Sequence, residues 1–190
     1  MRRTLAAGTL NASIGTHLES RHGITVATKR KDDLMTYAIT GLDADRFASL
    51  FAMTDAELAA INARRVTATA DRGFPCRISL EDAKAGEELI LLHHTSHDVA
   101  TPYRSAYAIY VRPGVEAATW RDETPPVFEG RPLALRAFDA EGMLRTARLA
   151  GPGEADGAIR DLFGDKGISY IDAHNAAYGC FAARIERDAA

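Results

Sequence analysis

The chain holds two cysteines, Cys76 and Cys180, and each sits in a short motif beside a turn. The first motif runs Gly73, Phe74, Pro75, Cys76, Arg77, and the second runs from His174 through Asn175 and Gly179 to Cys180 and Phe181. A thiolate is the attacking form of cysteine. A neighbouring imidazole can remove the thiol proton, and a carboxylate or amide can hold that ring in its useful tautomer. The residues that fit these roles are Cys180 as nucleophile, His174 as base, and Asp172 or Asn175 as the orienting group. The competing interpretation is structural, since free cysteine is among the most buried residue types and a histidine at a turn often bonds only backbone.

Two strands are expected to position this set, at about residues 168 to 174 and 180 to 187. Side chains alternate along a strand, so Tyr170, Asp172 and His174 share one face while Ile171 and Ala173 share the other. With a loop over Asn175 to Gly179, His174 is expected opposite Cys180, Ala173 opposite Phe181, Ile171 opposite Ala183, and Tyr170 opposite Arg184. That register groups Phe181, Ala183 and Ile185 on the apolar face. It also puts the imidazole within cross-strand reach of the thiol, with Asp172 and Arg184 further along the same face.

Other chemistries have weaker support. His93, His94, His97, Asp98, His174 and the cysteines are competent zinc ligands, but no CxxC or HExxH spacing is present and neighbouring strand residues point apart. The expectation is no metal and no cofactor. Gly151, Pro152 and Gly153 lack the glycine pattern of a phosphate cradle and suit a helix-capping loop. Arg104, Arg112 and Arg184 offer guanidinium groups to an anionic ligand or are plain surface arginines.

Length and composition bound these ideas. The 190 residues, 46% hydrophobic and 26% charged, suit one globular domain with a substantial core. Net charge is −3; residues 1 to 34 carry six basic against three acidic side chains, and the remainder carries 17 against 23. That balance opposes a nucleic-acid or anionic-membrane partner, while a small molecule remains open and the oligomeric state is undefined. Two cysteines are too few for a disulfide scaffold, so a cytoplasmic setting is expected. Residues 1 to 34 have no sustained apolar period and are expected to be a flexible N-terminal extension or an upstream start, with a single globular domain over 35 to 190.

From Met35 the pattern sharpens. Tyr37 to Thr40 is expected as a strand, followed by a short helix around Phe47, Leu50 and Phe51. Thr54 and Glu57 form a capping box before a helix with Leu58 and Ile61 on its apolar side. Cys76 to Leu80 is a further strand candidate. Leu89, Ile90, Leu91 and Leu92 suit a central strand covered on both faces. A histidine-bearing loop then leads to a strand through Tyr107, Ile109 and Val111. Leu133 to Phe138 and Met143 to Leu149 flank a turn and should pair as a hairpin. A helix through Ile159, Leu162 and Phe163 precedes the last two strands. These elements make one compact α+β domain, a mainly antiparallel sheet built from hairpins with a few short covering helices.

The succession GFPCR, GEELILL, TPYR with AIYVR, and HNAAYGCFAAR resembles the bacterial domain-of-unknown-function family 1203, over roughly Met35 to Arg187. The resemblance implies one compact domain and no particular reaction. It singles out Phe74, Cys76, Arg77, Pro102, Tyr103, Arg104, His174, Asn175, Gly179 and Cys180. Cys76, Arg77, Tyr103 and Arg104 from this set, with Arg184 for its guanidinium, are the candidate ligand-binding residues. The functional expectation is a small-molecule-binding domain or small enzyme with a Cys/His site in the C-terminal hairpin. The alternative is a non-catalytic interaction module in which both motifs are structural.

Overall fold

Short turns between apolar segments build two antiparallel sheets in the computed structural model, which describes residues 36–188. The Asp139 carboxylate accepts from the Met143 amide at 2.8 Å and closes the turn between β6 (Leu133–Phe138) and β7 (Leu144–Ala150). β6 pairs on its other side with β8 (Tyr170–Asn175), which pairs with β9 (Phe181–Arg187). β1 (Tyr37–Thr40) and β5 (Thr119–Arg121) extend the sheet to six strands in the order β5, β1, β9, β8, β6, β7. The smaller sheet is β2 (Arg64–Thr67), β3 (Glu88–His97) and β4 (Ser105–Val111), with β3 in the middle. The expected segment 1 to 34 lies outside the described residues.

Strand alternation sorts the large sheet into two faces. Leu135, Ala137, Ile171, Ala173, Ala183 and Ile185 form one apolar layer with Ile159, Leu162 and Phe163 of the helix Ala155–Phe163. The opposite face carries Tyr170, Asp172 and His174 and packs toward the small sheet, as the Arg184 bond to the Ser96 carbonyl and the His174–Tyr107 ring contact show. A second apolar cluster fills this region. It joins Cys76, Ile78, Ile90, Ile109, Val111 and Phe181 to Phe47 and Leu58. Phe47 ends a 3-10 turn leading into the short helix Ala48–Phe51, and Leu58 comes from the helix Asp55–Ala60, whose Thr54–Glu57 capping box is present as expected. No helix among the described residues is long and apolar enough to cross a membrane.

Three local expectations are corrected. Ile61 caps its helix and is half exposed, because the chain turns at Asn62 into β2 before another helical turn can bury it. Cys76 to Leu80 is not a strand: after isolated bridges at Pro75 and Cys76 the chain coils, and Leu80 takes a positive φ of 55°. The histidine-bearing loop begins later than expected, since β3 continues through His97.

The fourth correction concerns the C-terminal hairpin. Ala173 faces Ala183 and Asp172 faces Arg184, two residues away from the expected register, and His174 then faces Phe181 across an irregularity that leaves Ala182 unpaired. An extra residue on one strand breaks the alternation of faces. Ala182 and Ala183 both join the layer against the long helix, and Phe181 turns to the other face beside His174. Asn175, rather than His174, lies opposite Cys180, its amide donating to the Cys180 carbonyl at 2.9 Å.

One close approach holds the layers together. A Cβ on Gly41 would lie 1.8 Å from the Ile78 carbonyl oxygen, so the backbone after β1 touches the coiled segment with no room for a side chain. Gly41→Ala is expected to destabilise by roughly 1–3 kcal/mol, the range of core overpacking. Gly157→Ala, inside a helix with open space around it, is expected to stabilise by about 0.5–1 kcal/mol. Urea unfolding of the two variants against the parent checks both signs.

Candidate functional site

The coiled segment Gly73 to Asp82 is bonded at several points. The Cys76 amide donates to Glu81 at 2.8 Å, the Arg77 amide to the Tyr110 carbonyl at 2.9 Å, and the Leu42 amide to the Arg77 carbonyl at 2.7 Å. Asp82 accepts two hydrogen bonds from Arg131 at 2.7 and 2.8 Å and a third from the Gly73 amide. With its backbone so held, Arg77 is carried into the interior, where its side chain is 2% exposed. Its Nε and Nη1 are buried with no hydrogen-bond partner. Burial chiefly pulls the guanidinium down to about 10; negative charge at Cys180 is the strongest opposing influence, Arg131 adds to the lowering, and Cys76 and Asp82 oppose it. Arg77 is therefore a cation at neutral pH.

Arg77 lines a cavity of about 320 Å³ together with Cys180, Asn175, Tyr178, Leu91 and Tyr110. The tip of the β8–β9 hairpin forms one wall. Gly179 has a φ of 73°, a left-handed conformation that glycine adopts freely, and its amide donates to the Asn175 carbonyl at 2.8 Å. This turn leaves Cys180 partly accessible and Tyr178 87% exposed at the rim. The Cys180 thiol points a weak hydrogen bond at the Tyr178 carbonyl, 3.9 Å away. Cys76 is fully buried and does not line the cavity.

His174 does not serve Cys180. Its Nδ1 donates to the Gly179 carbonyl at 3.0 Å, its ring meets Tyr107 edge-on at 4.8 Å, and Phe181 stands opposite. Burial and the nearby Arg136 cation push it down to about 4, against the opposing influence of the Gly179 bond and Asp172, with Arg77 lowering it further. Asp172 is likewise committed elsewhere: it takes two bonds from Arg184, at 2.8 and 3.1 Å, with Arg184 stacked over the Tyr170 ring. The expected Cys180, His174, Asp172 constellation is thus divided between two places, because the turn brings Asn175 rather than His174 opposite Cys180.

Tyr103 and Arg104 lie in the exposed turn between β3 and β4, Arg104 paired with Asp98, and neither lines the cavity. Nearby, His97 donates from Nδ1 to the Tyr103 carbonyl and accepts from the Tyr170 hydroxyl at 2.8 Å, so its nitrogens are satisfied within the fold. No group of three His, Cys, Asp or Glu side chains among the described residues is arranged to hold a metal ion. Arg77, Asn175 and Cys180 are the sequence candidates brought together. Tyr178, Leu91 and Tyr110 were missed as wall residues. The HNAAYGC and AIYVR motifs contain Tyr178 and Tyr110, but aromatic and aliphatic residues look alike in core and cavity until the layers are assembled.

These features define a two-sheet α+β domain with an arginine-bearing cavity between a coiled segment, the small sheet and a hairpin tip. The family model described as protein of unknown function (DUF1203) matches residues 73–187. The chain belongs to that family. The match starts at Gly73 rather than near Met35, and it includes every residue lining the cavity. No curated protein and no solved structure matches the chain.

Two of the three buried histidines, His174 and His94, set an acid sensitivity. His94, enclosed between Phe47 and Phe181, is also pushed down to about 4, first by burial and then by Arg46 and His93. An unfolded histidine binds its proton near pH 6.5, so below that value the unfolded chain takes up more protons than the folded one. Stability is expected to be full above about pH 7 and to fall by roughly 1–2 kcal/mol per histidine on acidification to pH 5. His174→Asn, which retains a donor near the Nδ1 position, should flatten this slope. Melting curves between pH 7 and 5 for parent and variant measure it.

Proposed function

We propose that this protein binds a small organic anion in the cavity, with the Arg77 guanidinium as its anchor. The observation that carries the proposal is a buried cation with Nε and Nη1 unpaired and a cavity beside it. Arg112, Arg131 and Arg184 each hold a carboxylate; Arg77 hydrogen-bonds none. An uncompensated buried charge costs several kcal/mol, and a carboxylate or other oxyanion offers a guanidinium paired, charge-assisted hydrogen bonds. Leu91, Ile109, Tyr110 and Pro75 supply apolar surface for the ligand's body, and Asn175 adds a polar group for orientation. A volume near 320 Å³ is at the small end of ligand cavities, which favours something the size of a benzoate.

The setting of this proposal is a bacterial cytoplasm, supported by the family resemblance and by the two unbridged cysteines. Its partner is a small molecule; the acidic excess of residues 35 to 190 supports that choice over nucleic acid or an anionic membrane.

The test compares benzoate with neutral benzamide by calorimetric titration and thermal shift. Benzoate should bind and raise the melting temperature, and benzamide should not. Arg77→Met should remove benzoate binding, whereas Cys180→Ser should retain it. Ligand-free Arg77→Met should also be about 1–3 kcal/mol more stable than the parent, because an apolar side chain replaces an unpaired buried charge. Equal binding of benzoate and benzamide, or undiminished benzoate binding by Arg77→Met, would rule the anchor out.

A further inference from the structure

We propose that Cys180 is a reversible thiol-exchange site for small disulfides bearing a carboxylate, with Arg77 holding that carboxylate. The proposal rests on the anion-binding reading of the cavity and adds a covalent step to it. Cys180 and Arg77 line the same cavity, and the Arg77 guanidinium is buried with Nε and Nη1 unpaired. Cys180 is partly accessible while Cys76 is sealed in the core, so a reagent entering the cavity meets only one of the two sulfurs.

The surroundings select the reaction class. The only hydrogen bond made by the Cys180 thiol among the described residues is the weak one to the Tyr178 carbonyl, so no side-chain acid or base bonds the sulfur. His174 stands opposite Phe181 and is occupied by the Gly179 carbonyl. No carboxylic acid or imidazole among the cavity-lining residues stands ready to deliver a proton to a poor leaving group. Thiol exchange needs none, because its leaving group departs as a thiolate.

In the step, the Cys180 thiol first releases its proton to solvent. The thiolate attacks one sulfur of the bound disulfide, forming a new bond between Cys180 Sγ and that sulfur. The original disulfide bond breaks, and its electron pair leaves with the second sulfur as a free thiolate. Cys180 is oxidised and the departing half is reduced. A second small thiol, attacking the mixed disulfide in the same manner, restores Cys180.

The full chain at neutral pH is exposed to two aryl disulfides, dianionic dithiobis(nitrobenzoate) and neutral dithiodipyridine, with rates read from released chromophore and the modified residue from peptide mass mapping. Cys180 should label with both and Cys76 with neither. The preference for the anionic reagent should drop about tenfold in Arg77→Met, persist in Arg77→Lys, and weaken with added salt. Benzoate should slow the anionic reaction. If Arg77→Met does not fold, benzoate protection and salt dependence in the parent decide the matter.

An unchanged preference in folded Arg77→Met, labelling at Cys76, or a Cys76–Cys180 bridge would overturn the proposal. Failure of Cys180 to label while benzoate still raises the melting temperature would refute exchange and leave the anion cavity standing. Labelling with no anionic preference and no benzoate binding would refute both.

Discussion

The backbone of Arg77 ties the two sheets together. Its amide donates into the small sheet at Tyr110, and its carbonyl accepts from Leu42, just beyond β1 of the large sheet. The next peptide repeats the arrangement, as the Ile78 carbonyl accepts from Ala118 and leaves Gly41 no room for a Cβ. Backbone groups buried between layers must be paired, and this double bonding pairs them without a regular strand. Cys76, Ile78 and Leu80 are drawn into the core by the same attachment. The charge of Arg77 goes inside because its neighbours on either side require the interior.

Polar groups on the inner face of the large sheet show what satisfied burial looks like. Asp172 and Arg184 close a two-bond ion pair, Arg184 also reaches the Ser96 carbonyl, and Tyr170 donates to His97. His174 and His94 stay neutral in an aromatic enclosure around Phe181. Against that background, the Arg77 guanidinium keeps two buried nitrogens unpaired, and these are the groups the proposed anion would satisfy. Nearby Cys180 shares the cavity without sharing the hydrogen-bond network, which separates a binding role for Arg77 from a reactive role for the thiol.

Local patterns made most of the elements legible. The Thr54–Glu57 box, the Asp139 to Gly142 turn, the all-apolar Leu89 to Leu92 run and the helix through Ile159 and Phe163 each depend on interactions within a few residues, and each is present. The family motifs also pointed to Arg77, Asn175 and Cys180, which meet in the cavity. Cys76 to Leu80 misled because its alternating apolar residues suit a strand equally well. Burial on a coil bonded from two sides produces the same residue types.

The hairpin marks the boundary between what sequence and tertiary structure determined. Sequence alone placed β8 and β9 and their connecting turn, since strand propensity, the turn residues and Gly179 act locally. Register was a tertiary decision: pairing Asp172 with Arg184 and filling the space between the sheets with Phe181 required a bulge at Ala182, which no local alternation encodes. The resulting pairing put Asn175 rather than His174 opposite Cys180 and left the thiol in one cavity with a cation more than a hundred positions earlier in the chain. Chemistry-bearing residue types were readable from the sequence, but their partners were set by packing between layers, where distant segments compete for the same buried volume.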